Sequence, residues 1–132
     1  MTRVYMDGVF DLFHVGHVDA IKQCFELGIV VIGVVSDKDS ESYKRKPIIH
    51  ENMRTEMIES CKYVSEVVFP APLYPTNDFL EKHKIDIVVH GFKNDHDYNI
   101  QKPFFKNINL VRTSYSTRTC TSDIIESIKS MN

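Results

Sequence analysis

His14 and His17 stand three residues apart, directly after a β-like run, in Val4-Tyr5-Met6-Asp7-Gly8-Val9-Phe10-Asp11-Leu12-Phe13-His14-Val15-Gly16-His17. A strand end that feeds a helix N-terminus is where α/β proteins hold phosphate groups, because the first helical N–H groups lack carbonyl partners. Two imidazoles there add hydrogen-bond donors from fixed positions. An isolated H-x-x-H is usually surface or core histidine, but Gly16 removes a side chain where a ligand has to approach the backbone. The segment therefore reads as an anion site. Zinc held by His14 and His17, with Asp7 or Asp11 completing the set, is the competing reading of the same residues.

Cationic side chains that could neutralise an anion lie elsewhere in the chain. Lys44, Arg45 and Lys46 cluster, Arg54 follows in a helix-like stretch, and Arg112 ends a β-like one. There is no G-x-x-x-x-G-K-[ST] and no G-x-G-x-x-G, so a nucleotide phosphate would rest on histidines and helix starts.

The elements that must position these groups alternate. Runs rich in Val and Ile predict strands at Val4–Met6, Ile29–Ser36, Glu66–Phe69, Ile85–His90 and Asn109–Arg112. The nearly continuous apolar text of the second and fourth suits strands buried on both faces. Helical spacing predicts Val18–Leu27, ended by Gly28 as a C-cap, then Glu51–Tyr63, Thr76–Lys84 and Ser122–Met131. Asp37–Pro47 and Phe92–Phe105 are polar and irregular, and read as loops. The alternation predicts an α/β fold: one Rossmann-like, doubly wound, five-stranded parallel sheet flanked by helices. Ligands of such sheets bind at the carboxyl ends of the strands, which gathers Asp7–His17, Ser36–Lys46, His90–Tyr98 and Arg112–Ser122 at one mouth.

Composition bounds the rest. The 132 residues predict one domain, 1–132, with ordinary hydrophobic (42%) and charged (26%) content. A net charge of −2 provides no basic field, so nucleic acid is not an expected partner. Three cysteines without a C-x-x-C pair favour a reducing compartment, with Cys24 and Cys61 buried and inert. The N-terminus runs straight into a strand and no stretch is long enough to span a bilayer. The expected setting is cytoplasmic, with no membrane-binding segment.

The run Asp-Gly-Val-Phe-Asp-Leu-Phe-His-Val-Gly-His at 7–17 resembles the signature of the cytidylyltransferases, within the H-x-G-H nucleotidyltransferase superfamily. The likeness extends from Arg3 to about Ile128 and is strongest to enzymes that activate phosphocholine and phosphoethanolamine with CTP. Val34-Val35-Ser36-Asp37 resembles the end of the family's second strand, and Lys44 with Arg54 has its lysine–arginine spacing. Lys62-Tyr63-Val64-Ser65-Glu66-Val67-Val68 resembles the lead into its third strand, Val89-His90-Gly91 the end of its fourth, and Arg112-Thr113 the start of its R-T-x-G-x-S-T-T motif.

The resemblance implies that His14, His17, Lys44 and Arg112 are catalytic. It implies that Val9, Phe10, Gly16, Arg54, His90, Gly91, Thr113, Thr121 and Ser122 bind the nucleotide, with Asp11 orienting the histidine segment. Mg²⁺ would accompany the triphosphate, and the enzymes are typically homodimers. Such chemistry needs positioning and charge neutralisation rather than covalent catalysis.

The resemblance implies that Asp7 and Tyr98 bind the acceptor and help choose it, with glycerol 3-phosphate as the alternative to an amino alcohol phosphate. Glycerol phosphate enzymes tend to carry an uncharged residue at the position of Asp7, and a carboxylate suits a cationic head group. Tyr98 aligns with an aromatic that packs on choline. Leu73 falls where the choline enzymes have tryptophan, beside Tyr74, and this thinner cage slightly favours a primary ammonium. Two departures stand out. Phe92-Lys93-Asn94 replaces residues that are often acidic in the family. The motif after Arg112 is stretched, so anchoring on Arg112 selects Ser116 and Thr117 whereas anchoring on the last helix selects Thr121 and Ser122. The helix anchor is preferred because capping hydroxyls belong at its start, and Arg118 is then an extra phosphate ligand.

Overall fold

Residues 1–91, 95–105, 108–113 and 118–131 are described by a computed structural model. Strands Arg3–Gly8 (β1), Ile29–Val34 (β2), Glu66–Val68 (β3), Ile87–His90 (β4) and Asn109–Arg112 (β5) form one sheet in the order β3-β2-β1-β4-β5. Every pairing is parallel. The expected five-stranded doubly wound sheet is therefore present, and the order reverses between β1 and β4. Helices Val15–Leu27 (α1), Asp37–Tyr43 (α2), Glu51–Glu59 (α3), Asn77–Lys82 (α4), Asp95–Gln101 (α5) and Thr121–Lys129 (α6) connect or follow the strands.

Strand alternation divides the core in two. Val4 and Met6 of β1, with Val30, Ile32 and Val34 of β2, pack against Ile21 and Cys24 of α1 and Ile58 of α3. On the opposite face Tyr5, Val31 and Val88 pack with Leu80 of α4 and Ile85. Asp7 shares the face of Tyr5 and lies in register with Gly33. Cys24 is buried and its thiol is pushed up to about 12, which leaves it protonated and inert, while Cys61 is only half-buried.

Several boundaries differ from expectation. The first helix begins at Val15 rather than Val18, because the His14 side chain caps it. Asp37–Tyr43 is helix, not loop: Ser36 Oγ accepts from the Asp39 N–H at 3.1 Å, and Asp37 and Asp39 sit in the first turn. Apolar spacing missed it because Ser40 is its one buried residue. Asp95–Gln101 is likewise helical, followed by a 3₁₀ turn at Lys102–Phe104. The third helix stops at Glu59, short of Tyr63. Gly28 does end α1, but by close approach rather than a left-handed turn. A Cβ there would overlap the Thr2 carbonyl, whose oxygen accepts the Ile29 N–H at 2.8 Å.

Candidate active site

The β1–α1 junction carries the two histidines as a mutual cap. His14 is the N-cap of α1, and its Nδ1 accepts the Gly16 N–H at 3.0 Å. His17, at the third helical position, accepts the His14 N–H on its own Nδ1 at 3.2 Å. This is a capping box built from imidazoles. Because both Nδ1 atoms accept, the proton of each neutral ring resides on Nε2. The rings stack with centroids 3.8 Å apart, and His17 also stacks on Phe13 at 5.8 Å and meets Phe10 edge-on at 5.4 Å. Burial, then the neighbouring His14, lowers His17 to about 4, against the opposing pull of Asp11. Burial also lowers His14. At neutral pH the pair is uncharged and presents Nε2–H donors.

Gly16 is needed for a different reason than ligand approach. A Cβ there would lie 2.6 Å from the Thr119 carbonyl oxygen and 2.8 Å from His14 Cε1. The space belongs to the His14 ring and to the lead-in of α6. That lead-in brings Thr121 to the histidines: its Oγ1 lies 3.1 Å from His14 Nε2 and 3.4 Å from the Asp11 carbonyl oxygen. The N-cap of α6 is Cys120, which makes no side-chain cap hydrogen bond, so Thr121 and Ser122 begin the helix instead of capping it. The first N–H groups of α6 consequently open beside the histidine pair. Ser116 and Thr117, the alternative anchor, lie outside the described residues, as do Phe92, Lys93 and Asn94.

Arg54 departs most from expectation. Its side chain is fully buried, and it donates from Nε to the Ile49 carbonyl (2.9 Å), from Nη1 to those of Val9 (2.7 Å) and Val35 (2.8 Å), and from Nη2 to Asp37 (2.6 Å). The guanidinium is spent on backbone carbonyls and one carboxylate, so in this geometry it organises the loops instead of forking onto a phosphate. Val9 contributes its carbonyl to that purpose. Phe10, at φ 55°, is buried against the same core. Asp11 is also redirected: its two carboxylate oxygens accept the N–H groups of Ile48 (2.8 Å) and Ile49 (2.9 Å). It ties the α2–α3 connection to the β1–α1 loop rather than orienting a histidine through its side chain.

Asp37 is the residue that sequence reasoning missed. Burial opposes its charge, but the Arg54 guanidinium and the Glu51 N–H outweigh it and hold the carboxyl below the usual range. No local pattern signals a partner 17 positions away.

Lys44 ends α2 exposed, and its charge is felt by both His17 and His90, which places the ammonium on the same mouth. His90 ends β4 half-buried, lowered by burial and then by Lys44. Gly91 follows it. Arg112 ends β5 in register with His90, pairs with Asp95 of α5, and lies 5.6 Å from the Tyr98 ring centre. Lys102 approaches the same ring at 5.6 Å. Tyr98 is thus a cation-facing ring, occupied here by the protein's own charges. Thr113 N–H donates to the His90 carbonyl at 3.0 Å, and its hydroxyl turns away from the mouth to Gln23 of α1. Arg118 grips Asp19 of α1 through Nε (2.9 Å) and Nη2 (2.6 Å), a bidentate pair in place of the expected phosphate contact.

Asp7 sits at the carboxyl end of β1, partly buried on the face away from α1. Burial pushes its carboxyl up to about 7, resisted by its own backbone N–H. Tyr43, at the end of α2, is raised by burial and then by the Asp7 charge, which puts the end of α2 within electrostatic reach of this carboxylate. For a zinc site the geometry offers little: both Nδ1 atoms are taken, and among the described residues no three His, Cys, Asp or Glu side chains gather.

A parallel α/β sheet with its strand order reversing beside paired imidazole donors, a helix start and flanking cations is the kind of arrangement by which α/β domains hold phosphate groups. The chain belongs to the cytidylyltransferase-like family, which it matches over residues 5–129. It is 37% identical to the choline-phosphate cytidylyltransferase of Saccharomyces cerevisiae over 96% of this chain and 31% of that one. It is 41% identical to the ethanolamine-phosphate cytidylyltransferase of Dictyostelium discoideum over 67% of this chain and 25% of that one. The chain thus spans about a third or less of the length of these curated relatives. The crystal structure of the lipopolysaccharide core biosynthesis protein from Thermoplasma volcanium superposes with a TM-score of 0.75 at 27% identity, covering 88% of this chain and 98% of that one.

Proposed function

We propose that this domain transfers CMP from the magnesium complex of CTP to a phosphorylated amino alcohol, phosphoethanolamine or phosphocholine. The single observation that carries the reading is that the carboxyl end of the central strand β1 carries both Asp7 and, through the loop that follows, the Nε2–H-bearing histidine pair. The histidine pair suits a triphosphate and Asp7 a cationic head group. The relatives named as choline- and ethanolamine-phosphate cytidylyltransferases support it.

In this reaction an acceptor phosphate oxygen bonds to the α-phosphorus of CTP, and the bond from that phosphorus to the bridging oxygen breaks. The products are a CDP-alcohol and pyrophosphate. Two polyanions have to approach, so the protein's part is neutralisation and alignment. His14 and His17 donate from Nε2 to oxygens where charge gathers as the α–β bridge opens. The N-terminus of α6, with Thr121 and Ser122, receives the outer phosphates. Lys44, on its exposed stem, bridges the two phosphate groups, and Arg112 exchanges Asp95 for phosphate. His90 and Gly91, at the end of β4, border the nucleoside. Mg²⁺ enters as part of the substrate, carried by the triphosphate.

Pyrophosphate release with CTP and Mg²⁺, comparing phosphoethanolamine, phosphocholine and glycerol 3-phosphate, tests the reading. Turnover with an amino alcohol phosphate, reduced about 10²–10³-fold in His17→Ala, is the expected result. Turnover with glycerol 3-phosphate alone overturns the role given to Asp7, and binding of CTP without turnover makes the domain a nucleotide-binding module. The family resemblance also supports a homodimer working in the cytoplasm, which light scattering and cell fractionation test. Among the described residues no helix is long and apolar enough to cross a membrane.

A further inference from the structure

Tyr5 is completely buried, and its Oη has no hydrogen-bond partner among the described residues. A buried hydroxyl without a partner destabilises a fold, and phenylalanine would fill the same space. The ring's packing does not ask for the oxygen either. Its edge-on contact with Phe79, centroids 5.3 Å apart, would be as good for phenylalanine.

The position of the oxygen supplies a reason. Tyr5 and Asp7 are two residues apart on β1, so their side chains leave the same face of the sheet. Asp7 is in register with Gly33 of β2. A Cβ on Gly33 would overlap Tyr5 Oη, so the phenol leans along the sheet and sets its oxygen over Gly33, beside Asp7. Gly33 is glycine because the hydroxyl occupies the volume of a side chain there. Ala71, 1% exposed, bounds the same spot from the β3–α4 connection and keeps it dry.

We infer that the Tyr5 hydroxyl is a positioning group for Asp7: it donates to the Asp7 carboxylate when a cationic acceptor ionises it. The inference rests on the amino alcohol reading above only for the identity of that cation. Tyr5 itself stays a donor throughout, because burial and the neighbouring Asp7 charge raise its phenol well above the ordinary tyrosine range. From the neighbouring elements, this end of the sheet is faced by Asp39 and Tyr43 of α2, Lys44 just after it, Arg54 of α3, Tyr74 from the β3–α4 connection and His90 from β4. Gly33 and Ala71 bring no charge. Tyr5 is therefore the donor that approaches Asp7 from inside the fold, leaving the outer side of the carboxylate to the ligand.

The test is Tyr5→Phe in the intact protein, with the Asp7 carboxyl followed by carbon NMR across a pH titration without substrate. The expected result is unchanged or higher Tm together with an upward shift of the Asp7 midpoint. With Mg-CTP, KM for phosphoethanolamine rises about ten- to a hundredfold, as for the loss of one hydrogen bond to a charged group, while kcat and the KM for CTP hold. The pH at which that KM falls moves up with the Asp7 midpoint. An unmoved Asp7 midpoint overturns the inference, and so does a lowered Tm, which would reveal a structural partner for the oxygen. If the midpoint moves but the unmodified protein uses no amino alcohol phosphate, the Tyr5–Asp7 link stands and the acceptor reading fails.

Discussion

The Arg54 guanidinium and the Asp37 carboxylate meet at 2.6 Å, joining the third helix to the start of the second. Together with the carbonyls of Val9, Val35 and Ile49, this pair draws the ends of β1 and β2 toward the loop before α3. The mouth of the site is thereby braced from within by a buried cation. The surface proposed to take phosphate is left to the histidines, the helix start and the exposed side chains of Lys44 and Arg112.

Arg54→Ala is expected to act on stability before it acts on catalysis. Removing a buried guanidinium strands three carbonyls and Asp37, at a cost of about 3–5 kcal/mol. Urea unfolding reads this directly. In whatever fraction stays folded, KM for CTP should change far less than stability does. A large rise in that KM with unfolding midpoint intact would return Arg54 to the role of phosphate ligand.

His17→Ala removes a donor and half of the capping box at once. The turnover rate should fall about 10²–10³-fold, as for loss of one preorganised donor. The lost cap should destabilise by only about 1 kcal/mol. Pyrophosphate release and thermal melting separate the two effects.

The same histidine gives a signed pH dependence. Its folded value, about 4, lies below the ordinary 6.5, so the unfolded chain binds its proton more tightly in between. The stability it contributes is fully present above about pH 6.5 and is lost as pH falls toward 4, by at most about 3 kcal/mol. His17→Gln should flatten that part of a stability-against-pH curve, measured by denaturant unfolding.

Gly16→Ala places a methyl 2.6 Å from the Thr119 carbonyl and 2.8 Å from the His14 ring. Something must shift, and overpacking of this kind costs about 1–3 kcal/mol. Displacing His14 or α6 should also lower kcat roughly tenfold or more, since a misplacement near 1 Å is costly to aligned groups. Normal turnover in this variant would show that the α6 lead-in yields freely.

Asp7 titrates in the opposite sense. Its carboxyl, raised from 3.8 to about 7, is largely neutral below that pH and charged above it. KM for phosphoethanolamine should therefore fall as pH rises through about 7 and then level off. Asp7→Asn should erase the dependence and weaken the acceptor about tenfold or more, as expected when a charged partner is lost. Because the folded state holds the proton more tightly, stability declines between about pH 4 and 7, so Asp7→Asn should also be slightly more stable at neutral pH.

By itself the sequence determined the architecture and the address of the site. Continuous Val and Ile runs such as IVVIGV at Ile29–Val34 suit strands buried on both faces, and their alternation with helical text points to the parallel sheet. His14, Gly16 and His17 are local in the chain, so their spacing could announce the strand–helix junction. The short polar helices Asp37–Tyr43 and Asp95–Gln101 were not legible, because their stability comes from caps and from elements distant in sequence, not from an apolar stripe. Tertiary structure alone decided what the polar side chains do. Arg54, Arg118 and Asp11 read as site residues in a linear text, yet their partners lie at Asp37, Asp19 and the Ile48–Ile49 backbone. A charge chooses among partners by geometry and desolvation once the chain is folded. Residue type and spacing carry no record of that choice.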